Sequence, residues 1–226
     1  MTGPAWERTL QVGTAEQTHA LAAVLGAQLE AGDLLVLTGE LGAGKTTFTQ
    51  GLGEGLGVRA GIISPTFVLV RIHPSRPDGP RPGGPDLVHV DAYRLGSASE
   101  IDDIDLENTM DAAVTVVEWG RGRVEHLSES RLEVDLVRTI GGAGPAAPAT
   151  GGEPAGAAAA ADADTSDFGA SDIHTLDFDT DDDDEPRTIV IRGYGPRWVT
   201  PPHLPVPGHE PEPKPGSEPE PRERTS

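Results

Sequence analysis

Apolar residues recur at helical spacing at Leu21, Val24, Leu25 and Leu29, which would place them on one face of a helix. Thr14-Ala15-Glu16-Gln17 just upstream fits a capping box, so the helix is predicted to begin there. Short unbroken apolar runs follow at residues 34–37, 87–90 and 114–117, the pattern of strands buried on both faces. Residues 39–45 form a Gly-rich loop, and residues 46–56 read as a helix closed by Gly57. Residues 67–72 read as a strand, 73–85 as a Pro- and Gly-rich surface loop, and 99–110 as acidic, short helical pieces. Residues 6–12 read as an edge strand. Leu132, Val134 and Leu136 alternate as in a half-buried strand, and residues 188–191 supply another. Strands alternating with helices predict an α/β domain of three layers with a mostly parallel central sheet. The last two strands are expected to form its antiparallel edge.

Charge divides the chain into parts. The 226 residues hold 17 Lys and Arg against 37 Asp and Glu, a net charge of −20. Much of that excess sits in residues 141–186, where 12 acids and no base share the segment with Ala, Gly and Pro. Its apolar residues keep no period, so it reads as a disordered acidic insert. Replacing a tight turn with such a segment costs only about 2 kcal/mol of loop-closure entropy. Residues 194–226 are rich in Pro and Glu and read as an extended, solvated tail. The expected division is therefore a core at 1–140, the insert at 141–186, a final edge strand at 187–193 and a disordered tail at 194–226.

Composition also excludes chemistry. With no cysteine in the chain, disulfides, thiol catalysis and Cys-ligated metals are out. The acidity argues against nucleic-acid binding through bulk charge. No run of 18 apolar residues and no secretory signal is present, so a cytoplasmic protein without membrane attachment is expected.

Gly39-Glu40-Leu41-Gly42-Ala43-Gly44-Lys45-Thr46 matches G-x-x-x-x-G-K-[ST], the phosphate-binding loop, with an apolar strand before it and a helix after it. Glycines let backbone N–H groups turn inward around phosphate oxygens, and the helix directs its positive end at the same anion. Lys45 would reach the β- and γ-phosphates, and the Thr46 hydroxyl would ligate magnesium. The chain has two lysines, Lys45 and Lys214, and one of them is at this position. Asp91 and Glu118 each end an apolar run, where ligands gather in parallel sheets. Asp91 is assigned to magnesium and Glu118 to orienting or deprotonating water; the two roles can also be exchanged. Thr66, after Ser64-Pro65, stands where a switch threonine senses the γ-phosphate, although a Ser-Pro turn explains it equally well. Arg94 reads either as a charge stabiliser over the phosphates or as a surface arginine. His89 reads as a satisfied core residue, and the histidines show no metal spacing. With no N-K-x-D motif, adenine is favoured over guanine.

These blocks together resemble a known family. The loop with Thr47-Phe48, then Ser64-Pro65-Thr66-Phe67, His89-Val90-Asp91-Ala92-Tyr93-Arg94-Leu95 and Val117-Glu118-Trp119 are similar to TsaE, small bacterial ATPases of tRNA threonylcarbamoyladenosine synthesis. The resemblance implies a three-layer P-loop NTPase domain that binds ATP and magnesium. It implies an ATPase that acts with TsaB and TsaD and is not itself the threonylcarbamoyl transferase. It meets tRNA only through that complex, and the isolated chain is expected to be a monomer. Carried over by motif, residues 39–47 bind the phosphates, Thr46, Asp91 and Glu118 serve magnesium, and Trp119 lines the nucleotide site. Lys45, Thr66 and Glu118 support hydrolysis. Two other classes compete: a small nucleoside or metabolite kinase, and a module for which ATP is only a conformational ligand. No basic helical lid supports the kinase.

Overall fold

The computed structural model describes residues 3–65, 68–95, 100–101, 104, 106–138 and 185–204. The acidic insert, apart from Glu185 and Pro186, and the tail beyond Leu204 lie outside them. The first helix, α1 (Ala15–Gly26), begins as its sequence predicts: the Thr14 hydroxyl accepts from Gln17 N–H at 3.2 Å. Gln17 Oε1 in turn accepts from the Gly13 N–H at 2.7 Å, one residue earlier than in the standard box. Its buried stripe is Thr18, Leu21, Ala22 and Leu25, while Val24, expected on that face, is 36% exposed.

Strand β2 (Leu34–Thr38) leads into the Gly-rich loop and then α2 (Lys45–Leu56), which ends on Gly57 at φ +78°. Helices α1 and α2 pack with their backbones almost touching. A Cβ on Gly51 would stand 2.3 Å from the His19 carbonyl oxygen, and one on Gly55 only 2.0 Å from that of Ala23. Interior glycines cost a helix about 1 kcal/mol each against alanine. Here they permit a contact that no side chain would allow.

The remaining strands are β1 (Trp6–Val12), β3 (Val70–His73), β4 (Asp86–Asp91), β5 (Ala113–Glu118), β6 (Arg131–Arg138) and β7 (Arg187–Tyr194). They form one sheet in the order β1-β7-β6-β2-β5-β4-β3. The four central strands, β6, β2, β5 and β4, are parallel. β7 and β1 on one side and β3 on the other are added antiparallel. The mixed α/β sheet is thus as expected, with two corrections at its margins. Strand β7 is not the edge. It pairs with β6 on one side and with β1 on the other, and its residues alternate between buried and half-buried. Strand β3 starts at Val70, not at 67, because Leu69 takes a left-handed φ of +65° that breaks the extended run.

Alternation along the strands divides the core in two. Leu35, Leu37, Leu87, Val114 and Val116 face α1 and α2. Leu34, Val36, Val88, Val90 and Val117 face Leu95, Ile101, Leu106, Met110 and Val124. On this second face lie Ile101 and the short helix α3 (Glu107–Met110). None of the helices described is long and apolar enough to cross a membrane.

The tail expected from residue 194 does not begin there. Residues 196–198 form a 3-10 turn, and Trp198 and Leu204 are buried in the main core. The Trp6 indole N–H donates to the Trp198 carbonyl at 2.7 Å, and Gln28 bonds both the N–H and the carbonyl of His203, each at 2.8 Å. Proline content hid this segment: the buried Trp and Leu outweigh the extended preference of the prolines around them. Trp198→Ala should lower the unfolding free energy by about 3 kcal/mol, the lower end of the range for such a truncation, since the Trp198 indole N–H has no partner among the described residues. Urea titration checks this, and a change under about 1 kcal/mol would show that the strap is not part of the core.

Candidate functional site

The loop and the strand ends meet as the sequence required. Gly44 caps α2 at φ +96°, a left-handed conformation in which a Cβ is strained. No side chain caps this helix. Unlike those of α1, the first-turn amides of Lys45, Thr46 and Thr47 keep no side-chain acceptor, the arrangement that favours an anion. Leu41, at the loop tip, is 89% exposed. On the β6 side the Arg138 Nε donates to the Gly42 carbonyl at 3.0 Å, bracing the loop.

Lys45 is buried. Its ammonium donates to the carbonyls of Gly39 at 3.0 Å and Glu40 at 2.9 Å, and lies 4.0 Å from the centroid of the Trp119 ring. Trp119 reaches that place through a φ of +60°, unusual for a bulky residue. Its N–H donates to the Leu37 carbonyl at 2.9 Å, and its ring packs 5.2 Å from that of Tyr93. Burial pulls the Lys45 ammonium below the usual lysine range, against the opposing charges of Glu118 and Asp91. A cation desolvated in this way gains from an incoming anion.

Asp91 and Glu118 are register partners on the parallel strands β4 and β5, so both carboxylates stand side by side at the C-terminal ends. Both residues are buried. Asp91 Oδ1 accepts from the Tyr93 N–H at 2.9 Å, and Oδ2 accepts from the Ser64 hydroxyl at 3.3 Å. Glu118 Oε1 lies 2.8 Å from His89 Nε2. A cleft of about 290 Å³ lined by Thr38, Tyr93, Trp119, Arg121 and Arg123 opens beside this group. The larger cavity, about 380 Å³, is lined by His19, Glu54 and Arg59 among others, toward the C-terminal end of α2 and away from Lys45.

Among the described residues no group of three or more His, Asp or Glu could hold a metal alone. Magnesium takes one or two carboxylates and completes its shell with water and phosphate oxygens. Asp91, Glu118 and the half-buried Thr46 at the start of α2 are suitable donors. Arg94 is exposed on the turn after β4, and Thr66 lies outside the described residues. Sequence reading missed Ser64 as the partner of Asp91, Tyr93 as the partner of Trp119, and His89 as the partner of Glu118. The parity of His89 and Asp91, two apart on one strand, was the signal for the last.

The sequence model described as "Threonylcarbamoyl adenosine biosynthesis protein TsaE" matches residues 12–141. The tRNA threonylcarbamoyladenosine biosynthesis protein TsaE of Streptomyces coelicolor is 43% identical over 173 residues, covering 76% of this chain and 87% of that protein. The protein of the same name from Mycobacterium bovis is 50% identical over 129 residues, 54% of this chain and 74% of its own length. The crystal structure of YdiB from Bacillus subtilis superposes with a TM-score of 0.52 at 26% identity, covering 85% of this chain and 89% of that one. With the matched region running from the end of β1 past β6, the chain belongs to the TsaE family.

Proposed function

We propose that this protein is a magnesium-dependent ATPase that acts with TsaB and TsaD in threonylcarbamoylation of the tRNA adenosine 3′ of the anticodon, resetting that complex between turnovers. The observation that carries the reading is the buried Lys45 ammonium at the uncapped start of α2, facing the paired carboxylates of Asp91 and Glu118. The loop amides and Lys45 bind the β- and γ-phosphates. Thr46 and Asp91 hold magnesium, which neutralises phosphate charge when bound. Glu118 orients a water and takes its proton as the water oxygen bonds to the γ-phosphorus and the bond to the β-phosphate oxygen breaks. Trp119 lies over Lys45 and lines the nucleotide site.

The test is a multiple-turnover tRNA threonylcarbamoylation assay with TsaB, TsaD and threonylcarbamoyl-adenylate. With the protein, product should accumulate over many cycles; without it, or with Lys45→Ala, it should stop after about one cycle. Turnover indifferent to the protein would overturn the reset role. Transfer of the γ-phosphate to a nucleoside, not to water, would favour a kinase.

A further inference from the structure

We propose that His89 is a positioning residue, whose Nε2–H holds the Glu118 carboxylate in the orientation that ATP hydrolysis requires. The inference rests on the ATPase reading above, and extends it to a side chain that the sequence assigns to the core.

The geometry is specific. His89 pairs in register with Val116, and Asp91 with Glu118, so His89 stands one step below the acid pair on the same sheet face. Its Nε2 is 2.8 Å from Glu118 Oε1, with both side chains almost fully buried. A carboxylate oxygen without a proton only accepts, so the tautomer that makes this bond is the one with its hydrogen on Nε2. The other ring nitrogen, Nδ1, is buried without a partner among the described residues. Leaving a buried polar atom unpaired is unfavourable, and an apolar residue such as Leu87, two positions earlier on the same face, fills its place without that cost. The one hydrogen bond His89 makes among the described residues is therefore the contact that explains a histidine here. His73, on β3, backs it at a ring separation of 6.2 Å and closes the strand β3 side.

The consequence for Glu118 is orientational. A glutamate side chain has three torsions, and the last is broad. Pinning Oε1 from below fixes the carboxylate plane and leaves Oε2 as the oxygen that meets a water. Asp91 is held by the same device: Tyr93 N–H fixes one oxygen and the Ser64 hydroxyl the other. Each acid of the pair is thus held by neighbouring donors, and their relative orientation is set before any nucleotide arrives.

The experiment compares wild type, His89→Leu, His89→Gln, Glu118→Gln and the double variant His89→Leu/Glu118→Gln. Each is the full chain with TsaB and TsaD, assayed for phosphate release across magnesium–ATP concentrations. Binding is followed by calorimetric titration, and folding by thermal melting. His89→Leu should lower kcat by about tenfold or more and leave nucleotide Kd within about threefold, because the residue acts on turnover and not on binding. His89→Gln, which returns an N–H near the Nε2 position, should recover most of that loss even if the leucine variant is destabilised. In the Glu118→Gln background the leucine change should cost little further, since His89 acts through that carboxylate. Wild-type turnover in His89→Leu, an equal loss in the glutamine variant, a Kd that rises with the fall in kcat, or losses that multiply in the double variant would each overturn the inference. Wild type that releases no phosphate under any condition would overturn the ATPase reading, and this inference with it.

Discussion

Lys45→Ala raises the Kd for magnesium–ATP by at least about 100-fold, close to 3 kcal/mol. The size follows from what the ammonium does. It is buried, held by the Gly39 and Glu40 carbonyls and the Trp119 ring, with Glu118 and Asp91 close enough to raise its proton affinity. Alanine removes the ammonium and with it charge-assisted donation to the phosphate oxygens, which is stronger than a neutral bond. It also leaves two acids uncompensated where an anion must sit, so repulsion adds to the loss. Arginine would not restore the site: its planar fork presents its donors in a different geometry from the compact ammonium. Calorimetric titration of the variant with magnesium–ATP measures the effect. A Kd within about threefold of wild type would remove Lys45 from phosphate binding and undo the assignment of the loop.

Glu118→Gln separates binding from turnover. The amide keeps the size of the side chain, and its oxygen still accepts from the His89 Nε2–H. The substitution therefore leaves the strand end intact and removes the capacity to take a proton from water, along with one negative charge near Lys45. Loss of a general base costs about 10²–10⁴-fold in rate. Single-turnover phosphate release with TsaB and TsaD should fall by that amount while nucleotide affinity stays within a few-fold. Release at the wild-type rate would take Glu118 out of the chemistry and leave it as a magnesium ligand or a structural acid.

Part of this site was legible from the chain alone because its information is local. The loop motif, the strand before it and the helix after it lie within about 25 consecutive residues, and period and turn chemistry encode each. The alternation in β6 and the apolar runs of β2, β4 and β5 were equally plain, as was the capped start of α1. The errors arose where a residue's state depends on distant partners. Strand β7 read as an edge because nothing in residues 187–193 reveals that β1, far away in sequence, pairs beside it. Val24 fitted the helical spacing and yet faces outward, since α2 covers only a narrower stripe of α1. The strap at 195–204 was masked by proline, which sets backbone preference but does not decide whether a tryptophan finds a core.

The sequence by itself determined the Gly-rich loop between a strand and a helix, the lysine in it, two acids at strand ends and the mixed α/β class, because each follows from short-range spacing. Only the tertiary structure decided that Asp91 and Glu118 are register neighbours, that Trp119 covers Lys45, and that His89 and Ser64 hold the two carboxylates. Sheet order and register join residues tens of positions apart, and those pairings are fixed by how whole faces bury against each other. No local period records that choice.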